Sequence, residues 1–381
     1  VGYRQAILLR AHRRVREWIY APRRGTAFAL LSSPLALLGR LYFAGTRVRR
    51  ALYRKKILGS TRIQAPVIGI GNLTLGGSGK TTLSMELAEY LWRRGYRVAV
   101  LSRGYRAKRP SRVPLVISGG GGGAREDAGL AGDEACMMAD HLGDGVIVMS
   151  GKDRVKAARR AVDELGAGVL ILDDSFQYLR LAKDLEFLLL HEDDLRGHIQ
   201  PLPLGPFREP LTSARWADLI VLVRGLHTDG RKIPEMPLPL LGKKIVEARP
   251  KSVRYRSVWP EMRDVEPEEL RGKRILAFAS IARASSFREI LRTLDPAEEE
   301  LIDFPDHHNY ARAELIEMSR RAREKAAIVL TTEKDRVKVD WKLFRDTQCF
   351  TALPRYGVFE EDSDLRRAVD SLLSCGGSCA I

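Results

Sequence analysis

The stretch Gly71–Thr82, GNLTLGGSGKTT, constrains this chain more than any other segment of its length. It follows the apolar run APVIGI and leads into a segment with Leu83, Leu87 and Leu91 at helical spacing. A buried strand, a glycine-rich turn and a helix in that order build a phosphate-binding loop. Gly76, Gly77 and Gly79 let backbone N–H groups turn toward phosphate oxygens without side-chain obstruction. Lys80 reaches the β- and γ-phosphates, and the Thr81 hydroxyl suits Mg²⁺. The usual pattern, Gly-x4-Gly-Lys-[Ser/Thr], has a glycine five positions before Gly79, where this chain has Thr74. That position lies where the strand is leaving, so the core of the cradle, Thr74, Leu75, Gly76, Gly77, Ser78, Gly79, Lys80 and Thr81, is predicted to bind nucleotide.

Short β-branched runs alternate with helical patterns over the rest of the chain, which predicts an α/β fold of mostly parallel sheet flanked by helices. RVAVLS, GVIVMS, GVLILDD, LEFLLLH and ADLIVLV supply strands after the first, with helices over about 133–142 and 152–165. The five glycines from Gly119 to Gly123 read as a loop. A proline-rich stretch, PEMPLPLLGKK, marks a boundary, and a second alternating set follows: RILAFAS, EELIDF, AAIVLTT, FTAL and a last helix near 363–373. The expected organisation is an arm over 1–62, a P-loop domain over 63–225, a linker over 226–256, a smaller α/β domain over 257–374 and a tail over 375–381.

Charge is concentrated in the arm. Residues 1–62 carry fifteen Lys or Arg and one acid, Glu17, so the formal +16 of the chain is almost all local to it. This distribution, with no base-reading motif, argues against a nucleic-acid partner. The run Thr26–Leu38, TAFALLSSPLALL, is shorter than the roughly 20 apolar residues of a bilayer span and contains Pro34. It reads as a membrane-associated helix lying at an anionic surface, as a buried core helix, or as a signal or true span. Cys136, Cys349, Cys375 and Cys379 form no CxxC pair, which suits a reducing compartment.

Polar clusters follow several strands, and ligands of parallel sheets bind at strand carboxyl ends. SRGY (102–105), DDSFQ (173–177) and HEDD (191–194) join the phosphate loop there. Asp173 and Asp174 end an apolar run where a metal-holding Asp stands in P-loop proteins, although adjacent acids also cap helices. Asp133 in AGDEA is either an N-cap or a base. His307 and His308 in FPDHHNY, TTEKD (331–335), and Arg208 and Glu209 in GPFREP complete the candidates.

In this order the motifs resemble the tetraacyldisaccharide 4'-kinase family of lipid A biosynthesis, over nearly the whole chain. The Thr74 variant of the loop belongs to that pattern, as do LSRGY, AGDEA, GKDR, LDDSFQ, GPFREP, FPDHHNY and TEKD. The resemblance implies an ATP-dependent, Mg²⁺-requiring kinase at the cytoplasmic face of the bacterial inner membrane, peripheral or monotopic. Its acceptor would be an acylated disaccharide 1-phosphate held in the bilayer. It further implies Asp133 as catalytic base, His307 pairing with it across two closing domains, Lys80 stabilising the transferring phosphoryl, and Arg208 on phosphate. Mg²⁺ would be held by Thr81 with acids among Asp173, Asp174 and Glu209. The chain departs from the pattern at Ser175 and Tyr178, where the family has Gly and His, and at Thr82, Ala135 and Leu204. A membrane-associated P-loop ATPase or GTPase switch is the competing reading. Leu75 in place of a lysine before the glycines, and TEKD in place of Asn-Lys-x-Asp, count against it.

Overall fold

The computed structural model describes residues 26–104, 107, 113–120, 128–196, 199–226, 237, 240, 242–360 and 363–375. It opens with a long helix, α1 (Thr26–Arg54). The first sheet is built from β1 (Val67–Asn72), β2 (Val98–Ser102), β3 (Leu115–Gly119), β4 (Val146–Ser150), β5 (Val169–Asp173), β6 (Leu185–His191), β7 (Leu219–Val223) and β8 (Ile245–Ala248). Its helices are α2 (Lys80–Arg93), α3 (Asp133–Leu142), α4 (Arg154–Asp163) and the short α5 (Glu192–Arg196). The strand order is β3-β4-β2-β5-β1-β6-β7-β8. Every neighbour pair is parallel except β3 with β4. β1, β2, β5, β6 and β7 are buried along their whole length, because helices cover both faces; hence the continuous apolar runs.

The second sheet comprises β9 (Ser252–Trp259), β10 (Arg263–Val265), β11 (Arg274–Ala279), β12 (Glu298–Asp303), β13 (Ile328–Thr332) and β14 (Cys349–Arg355), in the order β10-β9-β14-β13-β11-β12. Its four-strand core is parallel and β9 and β10 run antiparallel at one edge. Helices α6 (Ala284–Arg292), α7 (Arg312–Glu324), the single turn α8 (Glu333–Arg336) and the terminal α9 (Asp364–Cys375) complete the chain.

On one face of the first sheet, Leu83, Leu87 and Leu91 of α2 are fully buried beside Met138 of α3. Each such leucine stabilises the fold by about 1.5–3 kcal/mol. Leu365 and Val369 of α9 join this same core. The terminal helix therefore packs on the first sheet, although its sequence position put it with the second unit over 257–374. β8 and the start of β9 fall inside the 226–256 stretch read as linker, because four-residue runs among prolines carry too little periodicity to show. Gly119 closes β3, and Gly121 to Gly123 lie outside the described residues, as does Cys379. Cys136 and Cys349 are buried free thiols.

Helix α1 rests on the body through Gly39, where a Cβ would meet the Pro201 ring at 2.6 Å, and through Phe43 against the Leu188 and Leu190 cluster. Leu37, Leu38, Leu41 and Tyr42 stay exposed. Among the described residues no helix is long and apolar enough to cross a membrane. Pro34 and Arg40 interrupt the apolar run.

Candidate active site

The carboxyl ends of both sheets open onto one cleft of about 660 Å³. From the first sheet come the loop Thr74–Thr82 after β1, Ser102 and Arg103 after β2, Asp173 and Asp174 at β5, and Val223–Leu226 at β7. From the second come Ile281–Arg283 after β11, Asp306 and His307 after β12, Thr332–Lys334 at β13, and Leu353, Pro354 and Tyr356 at and after β14. Parallel strands direct their carboxyl ends and following turns to one side, so two such sheets facing each other enclose a site between them.

Within the loop, Gly76 and Gly79 have φ of 108° and 81°, values that a residue with a Cβ adopts only under strain. A Cβ on Gly79 would also overlap the Tyr356 hydroxyl, which lies over the loop. Thr74 has a different task. It forms an antiparallel bridge with Phe207, flanked by Leu75 N–H to Pro206 O at 2.7 Å and Arg208 N–H to Leu73 O at 2.7 Å. Its buried hydroxyl donates to Asp194 Oδ2 at 3.1 Å. Position 74 is an isolated bridge just past β1, where glycine would remove a side chain that is bonded. Asn72 Nδ2 donates to Ser78 Oγ at 2.9 Å and closes the loop from inside.

Lys80 Nζ stands 3.6 Å from Asp174 Oδ1, and Arg208 Nη2 donates to the same oxygen at 2.9 Å. Burial alone would raise the Asp174 carboxyl, but Lys80 and Arg208 outweigh it and hold the group well below the usual carboxylate range. Asp174 also sits at φ 50°. Its neighbour Asp173 is fully buried, accepts from Ser84 Oγ at 2.9 Å, and is pushed up to about 7 by burial and by the negative charge of Glu134. Two adjacent carboxyls thus differ sharply in their hold on a proton. Beyond them, burial with Arg283 close by pushes His191 down to about 4.

On the facing wall, His307 Nδ1 lies 3.2 Å from Asp133 Oδ2, and Lys334 Nζ lies 3.0 Å from His307 Nε2. Lysine only donates, so Nε2 accepts and Nδ1 carries the hydrogen toward Asp133. The tautomer is assigned by these partners. Asp133 Oδ1 has no protein partner among the described residues. The two meet without further domain closure, because Arg336 to Asp140 (2.7 Å), Arg355 to Glu89 (2.5 Å) and Tyr356 N–H to Glu86 (2.5 Å) already join the halves. His308 turns the other way, onto Glu314 at 2.8 Å.

Glu209 does not line the cleft. Arg50 of α1 takes both its oxygens, at 2.6 and 3.0 Å, and also donates to Phe176 O while lying over the Phe176 ring. Glu209 is thus engaged by Arg50, whereas Thr81, Asp173 and Asp174 line the cleft wall.

A family model described as "LpxK: Tetraacyldisaccharide-1-P 4'-kinase" matches residues 31–374. The chain belongs to this family. It is 38% identical to the tetraacyldisaccharide 4'-kinase of Anaeromyxobacter sp. strain K, over 92% of this chain and 91% of that one. It is 36% identical to the enzyme of that name from Syntrophus aciditrophicus, over 81% and 85%. Its fold matches a crystal structure of LpxK from Aquifex aeolicus in complex with ATP, with a TM-score of 0.70 and 31% identity, covering 90% of this chain and 99% of the other.

The departures from the family pattern at Ser175 and Tyr178 have visible tasks. The Tyr178 hydroxyl accepts from Arg154 N–H at 3.0 Å, and its ring lies under the Arg154 guanidinium. That buried guanidinium donates to the backbone oxygens of Asp173 and Asp174 at 2.9 and 3.0 Å, so Tyr178 supports the turn carrying both acids. Ser175 bonds the buried Glu186, which also pairs with Lys183. Lys334 lies in the TTEKD cluster that the strand-end pattern singled out, whereas Arg283 and Tyr356 were not foreseen as site residues. Arg283 also follows a strand end, a signal that could have found it; Tyr356 carries no such mark. Arg283 Nε donates to Gly77 O at 3.0 Å while its Nη2 holds Asp194 at 2.5 Å, tying α6 to the phosphate loop.

Proposed function

We propose that this chain transfers the γ-phosphoryl group of ATP to the 4'-hydroxyl of a tetraacyl disaccharide 1-phosphate, the reaction for which its family is named. The observation that carries this reading is one cleft with a phosphate loop on one wall and a buried carboxylate–imidazole pair on the other. Backbone N–H groups from Gly76 to Lys80 hold the β- and γ-phosphates, with Lys80 and Arg208 neutralising charge that builds on the transferring group. Asp133 Oδ1 accepts the acceptor hydroxyl's proton as that oxygen bonds to phosphorus and the bridging oxygen leaves with ADP. His307, its Nδ1–H donated to Oδ2, keeps Asp133 oriented.

The residues present fit a magnesium ion. Asp173 is raised to about 7 by burial and Glu134, an electrostatic demand that a cation beside it would relieve. No group of three or more His, Cys, Asp or Glu among the described residues could form a protein-only cage. Magnesium characteristically takes one or two carboxylates with water and phosphate. Thr81, Asp173 and Asp174 would hold it, and it would neutralise phosphate charge when bound.

The exposed Leu37, Leu38, Leu41 and Tyr42 of α1, with basic residues on either side, support a peripheral or monotopic position at the cytoplasmic face of the inner membrane. An acylated acceptor stays in the bilayer, and the enzyme comes to it. Purified chain in mixed micelles with the disaccharide 1-phosphate and Mg–ATP is expected to yield the bisphosphate by mass spectrometry. Folded, ATP-binding protein that leaves the acceptor unchanged would overturn the proposal.

A further inference from the structure

Helix α1 presents Arg47, Arg50 and Arg54 on one face, at the i, i+3, i+7 spacing of successive turns. That face meets the 3₁₀ turn Leu211–Trp216 and leaves a hollow of about 50 Å³ lined by these arginines, Ser213, Arg215 and Trp216. Of the four guanidinium groups only Arg50 is neutralised, by Glu209. Among the described residues Arg47, Arg54 and Arg215 have no carboxylate partner. Arg54 and Arg215 instead lie over the half-exposed Trp216 ring, 5.8 and 4.8 Å from its centroid. Stacking on an indole fixes the plane of a guanidinium and leaves its N–H edge directed outward.

Three exposed guanidinium groups set around one hollow without a carboxylate leave their forked N–H donors open to an anion, and that fork matches the oxygens of a phosphate. The neighbourhood says what carries it. Leu41 and Tyr42 are exposed on the same helix roughly 9 Å before Arg47, at 1.5 Å per residue. A lipid whose chains reach those turns has its head group one or two turns further along, at the level where tryptophan also favours the interface. We propose that this arginine hollow is a binding site for a lipid-borne phosphate, separate from the nucleotide loop. Two sources share that chemistry: the acceptor's own 1-phosphate, which rests on the kinase reading, and a bilayer phospholipid, which does not. Occupancy would reach the cleft through Arg50, whose partner Glu209 follows Arg208 in sequence.

The test compares wild type with Arg47→Gln/Arg54→Gln/Arg215→Gln. A control, Arg49→Gln/Lys55→Gln/Lys56→Gln, removes equal charge from the same helix end. Circular dichroism checks folding, and the exposed single variant Arg215→Gln serves if the triple variant does not fold. In neutral detergent micelles, the site variant is expected to raise KM for the disaccharide 1-phosphate at least about tenfold, the size of losing one charged contact. KM for ATP, and for the 1-hydroxyl analogue, should stay near wild type; this pattern assigns the acceptor's phosphate. In flotation with phosphatidylcholine vesicles, with and without phosphatidylglycerol, loss of anionic-vesicle binding in the site variant but not the control assigns a phospholipid. Site and control variants behaving alike in both assays would overturn the proposal. Wild type without turnover would count against the kinase reading, and the flotation arm would still decide this one.

Discussion

The two walls of the cleft are made in different ways. The phosphate-loop wall comes from consecutive residues: Thr74 to Thr82 follow one strand and start one helix, and on the proposed reading they serve largely through backbone N–H groups. The facing wall is assembled from distant sequence. Asp133 begins a helix packed on the first sheet, while His307 and Lys334 leave two strands of the second. A wall that relies on backbone geometry leaves its edge positions free for other tasks, and Thr74 there holds a bridge to Phe207 and a hydrogen bond to Asp194. Side-chain chemistry at 3 Å does not, so the second wall depends on every contact joining the halves.

That contrast sets the order of expected effects. Asp133→Asn should reduce kcat about 10³-fold, in the range for losing a positioned base, with ATP affinity nearly unchanged in a binding titration. Lys80→Met should lower kcat about 10²-fold and weaken ATP binding as well, since Lys80 serves the ground state and the transition state. Equal loss of ATP affinity in both variants would erase the division between the walls. Lys334→Met, which removes the donor to His307 Nε2, should lower kcat roughly tenfold with ATP affinity unchanged, because His307 could then exchange tautomers and lose its hold on Asp133. An unchanged kcat would make Lys334 merely structural.

Smaller effects concern stability. Thr74→Gly restores the common loop consensus yet should destabilise by about 1–2 kcal/mol in denaturant unfolding, by freeing the backbone and leaving Asp194 short of a donor. Glu89, on the loop's own helix, joins the second wall through Arg355 and also meets His141. Burial raises its carboxyl, but His141 and Arg355 outweigh this and lower it to about 2. Its folded value lies below its unfolded one, so its contribution is complete above the ordinary carboxylate range. It is lost as pH falls from about 4.5 toward 2. Glu89→Gln should cost about 1 kcal/mol at pH 7, allowing for solvent screening, with the gap to wild type closing in acid.

How much was legible follows the same division. Strand, loop and helix around Lys80 were readable because the information is contiguous and periodic. The helix over 133–142 and the strands of the parallel cores were readable for the same reason. The Asp133–His307 pairing came from family resemblance, since nothing in either motif says that they meet. The contact of Glu209 with Arg50 was not legible, because Arg50 lies 159 residues away on a helix whose basic residues all looked alike. Tyr356 over Gly79, and α9 returning to the first sheet, are tertiary facts without a local trace. Tyr178 shows the reverse: a departure from the pattern that looked like a loss is bonded to the arginine supporting both acids.

The most direct test of the two-wall account is a double-mutant cycle on Asp133 and His307, read as single-turnover phosphoryl transfer from bound ATP. If His307 acts by orienting Asp133, Asp133→Asn/His307→Gln should be no slower than Asp133→Asn alone, within a factor of about two. Losses that multiply, with His307→Gln costing as much in the Asp133→Asn background as in wild type, would show that the two side chains act independently and would contradict the account.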